Sequence, residues 1–196
     1  MYGGCFTILE ELSVGEVWIG KQEMNSPNYQ QFLQIVQNKK IQVRTLQAGE
    51  KLQIGQVQIR VLWPEKKQIT ENQLNNNSLV LQVQYQQISI LFTGDIEAIA
   101  EEKIVEAYGK SLQSTILKVA HHGSKSSTIE KFLQCVNPKI ALIGVGENNT
   151  FGHPNEMILQ RLKDRGCKIY RTDKNGEIVI TIHKQMEIKE KIPCIN

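Results

Sequence analysis

Three apolar runs in this chain each stop abruptly at residues able to bind a metal ion. Ile88–Phe92 runs into Thr93-Gly94-Asp95. Residues 116–120 run into His121-His122-Gly123-Ser124, and residues 140–145 lead on to Gly152-His153-Pro154. Short apolar runs of this kind read as strands buried on both faces. Three of the four histidines and one aspartate therefore follow strand ends, which predicts a polar rim along one side of a sheet.

Around those runs the pattern is mixed. A helical stripe over 5–12 (Phe6, Leu9, Leu12) precedes a strand over 16–19. After Asn25, Ser26 suits a helix cap and Pro27 a first helical residue, with Tyr29, Phe32, Leu33 and Val36 on one face. Alternation predicts strands over 39–46 and 52–62, the latter turning at Gly55. Residues 65–77, rich in Gln and Asn, predict a loop. Residues 78–85 and 88–92 have hairpin spacing across Gln86-Gln87. A helix over 95–108, carrying Ile96, Ala100 and Ile104, stops at Gly109. Ser127-Thr128-Ile129-Glu130 matches a capping box. Pro154 opens another helix, and Asn175-Gly176 marks a hairpin between strands over 167–171 and 177–183. This order predicts one mixed α/β domain over 1–196, its sheet covered by helices on at least one face.

Composition narrows the function classes. A net charge of +3 is too small to imply nucleic-acid binding by itself. The basic run over 184–191 (KQMEIKEK) is interleaved with Glu and reads as a solvated strand end. No apolar run approaches bilayer length, and residues 1–12 lack the features of a signal peptide, so the chain reads as soluble. Cys5, Cys135, Cys167 and Cys194 stand far apart without a C-x-x-C, which predicts free thiols.

Each candidate residue has a plain structural role beside a chemical one. Asp95 fits an N-cap, and it also fits a carboxylate ligand that bridges two cations. Neighbours on an extended chain point to opposite sides. His121 and His122 therefore suit one ligand plus one residue that orients it or contacts substrate, with Gly123 permitting a turn that re-aims one ring. His153 is a loop residue, or a ligand or phosphate contact at a helix N-terminus. Ser124 caps, orients a histidine or holds a phosphate oxygen. Asn77 and Ser78 line the rim or form a polar loop. Lys118 reads as a solvated or sheet-edge residue, and His183 as structural. This set falls short of the about five or six ligands of a two-metal hydrolytic site.

The stretches LFTGD, KVAHHGSKSS, ALIGVGENNTFGHP and YRTDKNGEI together resemble the metallo-β-lactamase-like domain at the C-terminus of ComEC/Rec2-type competence proteins. The resemblance covers essentially the whole chain and is most specific over 77–180. It implies an αββα sandwich of two mixed sheets flanked by helices. It implies two divalent metal ions, zinc or manganese, and hydrolysis of phosphodiesters by metal-activated water. It also implies single-stranded DNA as substrate, beside a transmembrane DNA channel and outside the cytoplasm. Asp95 resembles the bridging metal ligand, and His122 the late histidine ligand, with His121 beside it. His153 resembles the GHP histidine near the substrate. Asn77-Ser78 stands where other branches place a histidine.

The family's H-x-H-x-D-H signature sits just before a Gly-Gly. Here Gly3-Gly4 takes that place, and Met1 stands where the last histidine would be. The expectation is an N-terminally truncated domain: a split or misassigned gene, a decayed remnant, or a chain completed by a partner carrying H-x-H-x-D-H. Alone it is expected to bind metal poorly and to be weak or inactive as a hydrolase. Two further readings stand beside this one: a non-catalytic module binding DNA or a partner, and a stand-alone metallo-hydrolase of a small phosphodiester.

Overall fold

The computed structural model describes residues 3–21, 26–183 and 186–191; Met1, Asn25 and Cys194 fall outside them. In chain order the elements are α1 (Gly3–Glu11), β1 (Glu16–Gly20), α2 (Pro27–Asn38), β2 (Gln42–Leu46), β3 (Lys51–Ile54), β4 (Val57–Trp63) and α3 (Gln73–Asn76). Then follow β5 (Val80–Tyr85), β6 (Ile88–Phe92), α4 (Ala98–Tyr108), β7 (Ile116–Lys118), α5 (Glu130–Val136) and β8 (Ile140–Ile143). Last come α6 (Glu156–Asp164), β9 (Lys168–Arg171), α7 (Thr172–Asn175), β10 (Glu177–Ile182) and β11 (Met186–Lys191).

Seven strands form one sheet in the order β3-β4-β5-β6-β7-β8-β9. The first four pair antiparallel and the last four parallel, so β6 is where the direction changes. Period-2 alternation sorts the side chains of the parallel half between two cores. Leu91, Leu117, Ala141 and Ile143 join Ile104, Phe132, Leu133 and Ile158 of the helices in one buried cluster. Ile90, Ile116, Ile140 and Leu142 pack on the other face against Ile178, Ile180, Met186 and Ile188 of the β10–β11 hairpin. The sheet thus lies between a helical layer and a β layer, which is why its parallel strands read as unbroken apolar runs. A third cluster joins Leu9 with Phe32, Val36 and Ile41, beside the parallel pair β1–β2.

Five local expectations change. Residues 65–77 hold the short helix α3, which the Gln/Asn-rich sequence conceals. Asn155 rather than Pro154 starts α6, its side chain accepting from the Met157 N–H. The Asn175-Gly176 turn does not join two paired strands: β9 stays in the main sheet while β10 pairs antiparallel with β11. The basic run over 184–191 therefore contributes a strand, whose Ile188 faces the core. The predicted capping box at Ser127–Glu130 is also replaced. The Ser127 hydroxyl donates to the Ala120 and Ser124 carbonyls, and Glu101 of α4 takes the Thr128 and Ile129 N–H groups at 2.6 and 2.7 Å. Ser26 does cap α2 as expected. Cys5, Cys135 and Cys167 are free thiols.

Candidate functional site

Because β6, β7 and β8 run parallel, their carboxyl ends lie side by side. That is the end of an open sheet where ligands bind. Backbone hydrogen bonds knit the turns that follow. His121 N–H donates to the Gly94 carbonyl at 3.1 Å, Asn155 N–H to Gly123 at 2.9 Å, and Ala98 N–H to Ser126 at 2.9 Å. Two glycines permit this approach. At Gly94 (φ +56°) an added Cβ would lie 2.7 Å from the Ser78 Cβ; at Gly123 (φ +80°) it would lie 2.7 Å from the Pro154 Cβ. The TGD, HHGS and GHP turns are therefore packed into one another.

Asp95 is not the helix cap. α4 begins three residues later, with Glu97 in the cap position and no side-chain cap bond. The left-handed Gly94 starts a separate turn, in which Asp95 N–H donates to Ser78 Oγ at 3.3 Å. The carboxylate is left to face His122, with Oδ1 3.5 Å from Nε2.

His121 and His122 both adopt left-handed backbone, with φ of 47° and 54°. The re-aiming assigned to Gly123 is thus made by the histidines themselves, at about 1–2 kcal/mol each for residues with a Cβ. His122 Nδ1 lies 2.5 Å from the Gly144 carbonyl oxygen. A carbonyl only accepts, so Nδ1 carries a proton, and in the neutral ring Nε2 holds the free lone pair. That Nε2 is buried and has no hydrogen-bond partner. Two electron-rich atoms, Nε2 and Asp95 Oδ1, face each other with nothing to offset their repulsion but a cation or proton between them.

His121 Nδ1 is also buried without a hydrogen bond, 3.3 Å from Glu97 Oε1. Glu97 is a member the sequence reading missed, because a glutamate opening a helix is usually only a dipole partner. Its Oε2 accepts from Asn72 at 2.6 Å and its Oε1 from the Ser126 hydroxyl at 3.0 Å. Burial pushes this carboxyl up, but those hydrogen bonds and the His121 charge outweigh it and hold it below its usual range. The His153 ring meets His121 edge-on at 5.7 Å and stacks on Phe151 at 6.0 Å and 17°. Burial first, then the charged forms of His121 and His122, push its pKa below the usual imidazole value, which favours the neutral ring.

The remaining candidates occupy supporting places. Asn77 is fully buried, its amide donating to the Ile69 and Gln73 carbonyls and accepting the Ile69 N–H. It is a strut of the loop, with no group left for a substrate. Ser78 anchors the Asp95 turn. Ser124 is buried, its hydroxyl 3.0 Å from that of Ser126. Lys118 departs from its solvated reading. It lies in a sheet covered on both faces, its Nζ donates to the Val119 carbonyl at 2.9 Å, and burial pushes its pKa down against the pull of Asp95. A lysine inside the apolar run ILKVA was the available signal. His183 is exposed.

The chain is similar to competence proteins along most of its length. It is 34% identical over 176 residues to ComE operon protein 3 of Bacillus subtilis, covering 90% of this chain and 22% of that protein. It is 37% identical over 114 residues to competence protein ComA of Neisseria gonorrhoeae, covering 58% and 16%. It is 32% identical over 117 residues to Recombination protein 2 of Haemophilus influenzae, covering 59% and 14%. These competence proteins are homologues of the chain, each over one part of its own length. No family model matches it. It spans between 14% and 22% of the length of these curated relatives.

Among solved structures, the chain shares its fold with a protein described as a metal-dependent hydrolase from Parabacteroides distasonis (TM-score 0.50, 13% identity, 84% of this chain and 79% of that one). It also shares it with CmlA, a diiron β-hydroxylase of Streptomyces venezuelae (TM-score 0.50, 11% identity, 84% and 39%). Among the described residues no helix is long and apolar enough to cross a membrane.

The donor chemistry suits a divalent cation in part. Asp95 and the bare His122 Nε2 are an oxygen and a nitrogen donor on one spot, and the Gly144 carbonyl orients the imidazole as a ligating histidine requires. Among the described residues, though, no group of three or more His, Cys, Asp or Glu stands where it could hold an ion.

Proposed function

We propose that this chain carries one side of the metal site of a phosphodiesterase that cleaves single-stranded DNA during DNA uptake. The observation behind this reading is the buried, unpartnered His122 Nε2 held 3.5 Å from Asp95 Oδ1. Asp95 and His122 supply two donors, and the other donors lie outside the described residues. A bound divalent metal would supply an activated water and charge neutralisation at the phosphate. Lys118 places positive charge behind Asp95 and steadies its carboxylate. Glu97 fixes the side of the rim occupied by His121. His153, neutral and half-buried, hydrogen-bonds a substrate oxygen from the helix side. Gly123 and Ser124 hold the histidine turn in register. On this reading the chain by itself binds metal weakly and has little or no hydrolase activity.

The test is to measure bound zinc and manganese, and cleavage of a single-stranded oligonucleotide. Both are measured for the chain alone and for the chain co-expressed with a segment carrying the family's H-x-H-x-D-H signature. Metal retention and chelator-sensitive cleavage are expected only in the second sample, and lost in Asp95→Ala and His122→Ala. Strong cleavage by the chain alone would overturn the divided site. Absence of both metal and cleavage in the completed sample, with DNA binding intact, would favour the non-catalytic reading.

A further inference from the structure

Phe151 is 80% exposed, the most exposed of the large apolar side chains described. It is not loosely held. The Asn149 side chain accepts the His153 N–H at 3.0 Å and donates to the His153 carbonyl at 2.8 Å and the Gly146 carbonyl at 3.1 Å. That clasp closes the loop at the tip of which Phe151 stands, with its ring stacked on His153. Beside it opens a cavity of about 350 Å³, which Phe151 and His153 line together with His122 and the backbone of Gly144, Val145 and Gly146. Its size is that of a small-ligand site. At Gly146, which also lines it, an added Cβ would meet nothing within 4 Å, so the space over that residue is open.

We propose that Phe151, stacked on His153 beside His122, is the platform on which one unpaired nucleobase of a single-stranded nucleic acid rests. The proposal builds on the reading that this rim cleaves single-stranded DNA, and adds how the strand is held. A flat aromatic ring is the ligand group that matches a parallel stack with one free face and an apolar floor. The Asn149 amide, which also lines the cavity, is fully engaged within its own loop, and the His122 ring is turned to the Gly144 carbonyl and Asp95, so what the cavity offers a base is stacking. The platform therefore takes any base, and it takes a base only when that base is unpaired. Because His122 shares the lining, the held nucleotide lies next to the phosphate at the rim.

The experiment uses the 196-residue chain, fluorescein-labelled oligothymidylate and oligodeoxyadenylate, an abasic strand of equal length, and a duplex, all at low salt without metal. Wild type should bind both base-containing strands at least about fivefold more tightly than the abasic strand, in line with one stacked base. Phe151→Ala should erase that preference, Phe151→Trp should keep it with quenching of the new indole, and Ile54→Ala on the distant β3 edge should change nothing. Equal binding of base-containing and abasic strands by wild type, or an undiminished preference in Phe151→Ala, overturns the platform. So does an equal effect of Phe151→Ala on duplex binding. Concentration-dependent self-association that Phe151→Ala abolishes would mean instead that a second copy of this chain covers the ring, and would also overturn it. If the base preference holds while the completed metal site cleaves nothing, the cleavage reading alone fails. If the completed site cleaves abasic and normal strands alike, the platform alone fails.

Discussion

Two clefts of nearly equal size open at opposite ends of β7 and β8, at about 350 Å³ and 360 Å³. The one at the amino ends is the more polar in its walls. Its groups, however, are answered by one another. The buried Gln82 amide donates to the carbonyls of Ser111, Leu112 and Gln113 and to Ser114 Oγ, at 3.0–3.4 Å, and its oxygen accepts from Arg60 at 2.9 Å. Thr115 and Ser89 exchange backbone-to-hydroxyl bonds. The cleft at the carboxyl ends is lined by His122 and an exposed aromatic; His122 and its neighbour His121 both have left-handed backbone and a buried ring nitrogen without a hydrogen bond. Polarity alone marks neither cleft as a site. What distinguishes the second is strain and unsatisfied bonding capacity, held in place by its surroundings.

The strongest way to break this contrast is Gly123→Ala. The new methyl would press on Pro154 and also force a residue with a Cβ into left-handed backbone. The expected loss is about 3–5 kcal/mol by urea unfolding, the sum of overpacking and backbone strain. Gly55→Ala, also left-handed but with nothing within 4 Å, should lose only about 1 kcal/mol. Equal losses would mean that the HHGS and GHP turns are not locked together as described.

Glu101 sharpens the contrast from behind the rim, since it holds the segment that follows the two histidines. Burial pushes its carboxyl up to about 7; the Ile129 and Thr128 N–H groups and the Arg161 charge pull it back only in part, and Glu102 adds to the rise. The folded value therefore exceeds the ordinary 4.5 of the unfolded chain. The stability this group contributes is complete below pH 4.5 and is lost as pH rises through 7. Relative to Glu101→Gln, which keeps one of the two acceptor oxygens and does not ionise, wild type should lose about 3 kcal/mol across that window. A difference that stays flat with pH would show that the carboxylate is already ionised when buried, and that the rim loop is held by a charge.

Much of the fold was legible because its signals are local. Ser26-Pro27 capped its helix, Gly109 ended α4, and the three apolar runs became β6, β7 and β8. What failed were assignments in which a long-range partner displaces a local one. Ser127–Glu130 has the letters of a capping box, yet a carboxylate 27 residues earlier takes the N–H groups. Asn175-Gly176 has the letters of a hairpin, yet β10 finds a better apolar partner in β11. The rim's membership was legible for the same reason the strands were: parallel strands bring their carboxyl ends together whatever the loops between them. Its bonding was not. Neither the double left-handed turn at His121-His122 nor the Gly144 carbonyl that fixes the His122 proton leaves a mark in residue order. Glu97 and Lys118 went unread because each has an ordinary role that its type and position predict first.

The smallest effects separate the two clefts by sign. Gln82→Leu should cost about 1–3 kcal/mol, because it strips partners from several buried carbonyls and from Arg60. His121→Gly removes a ring nitrogen that has no hydrogen bond and relieves a left-handed residue, at the loss of the edge-on contact with His153 and the 3.3 Å approach to Glu97. It should leave the fold unchanged or more stable, by up to about 1 kcal/mol, as a residue retained for chemistry rather than for stability would. Chemical denaturation of the two variants in parallel decides the matter. If His121→Gly is as destabilising as Gln82→Leu, the histidine turn is a structural element of the sheet edge, and the contrast between the two clefts disappears.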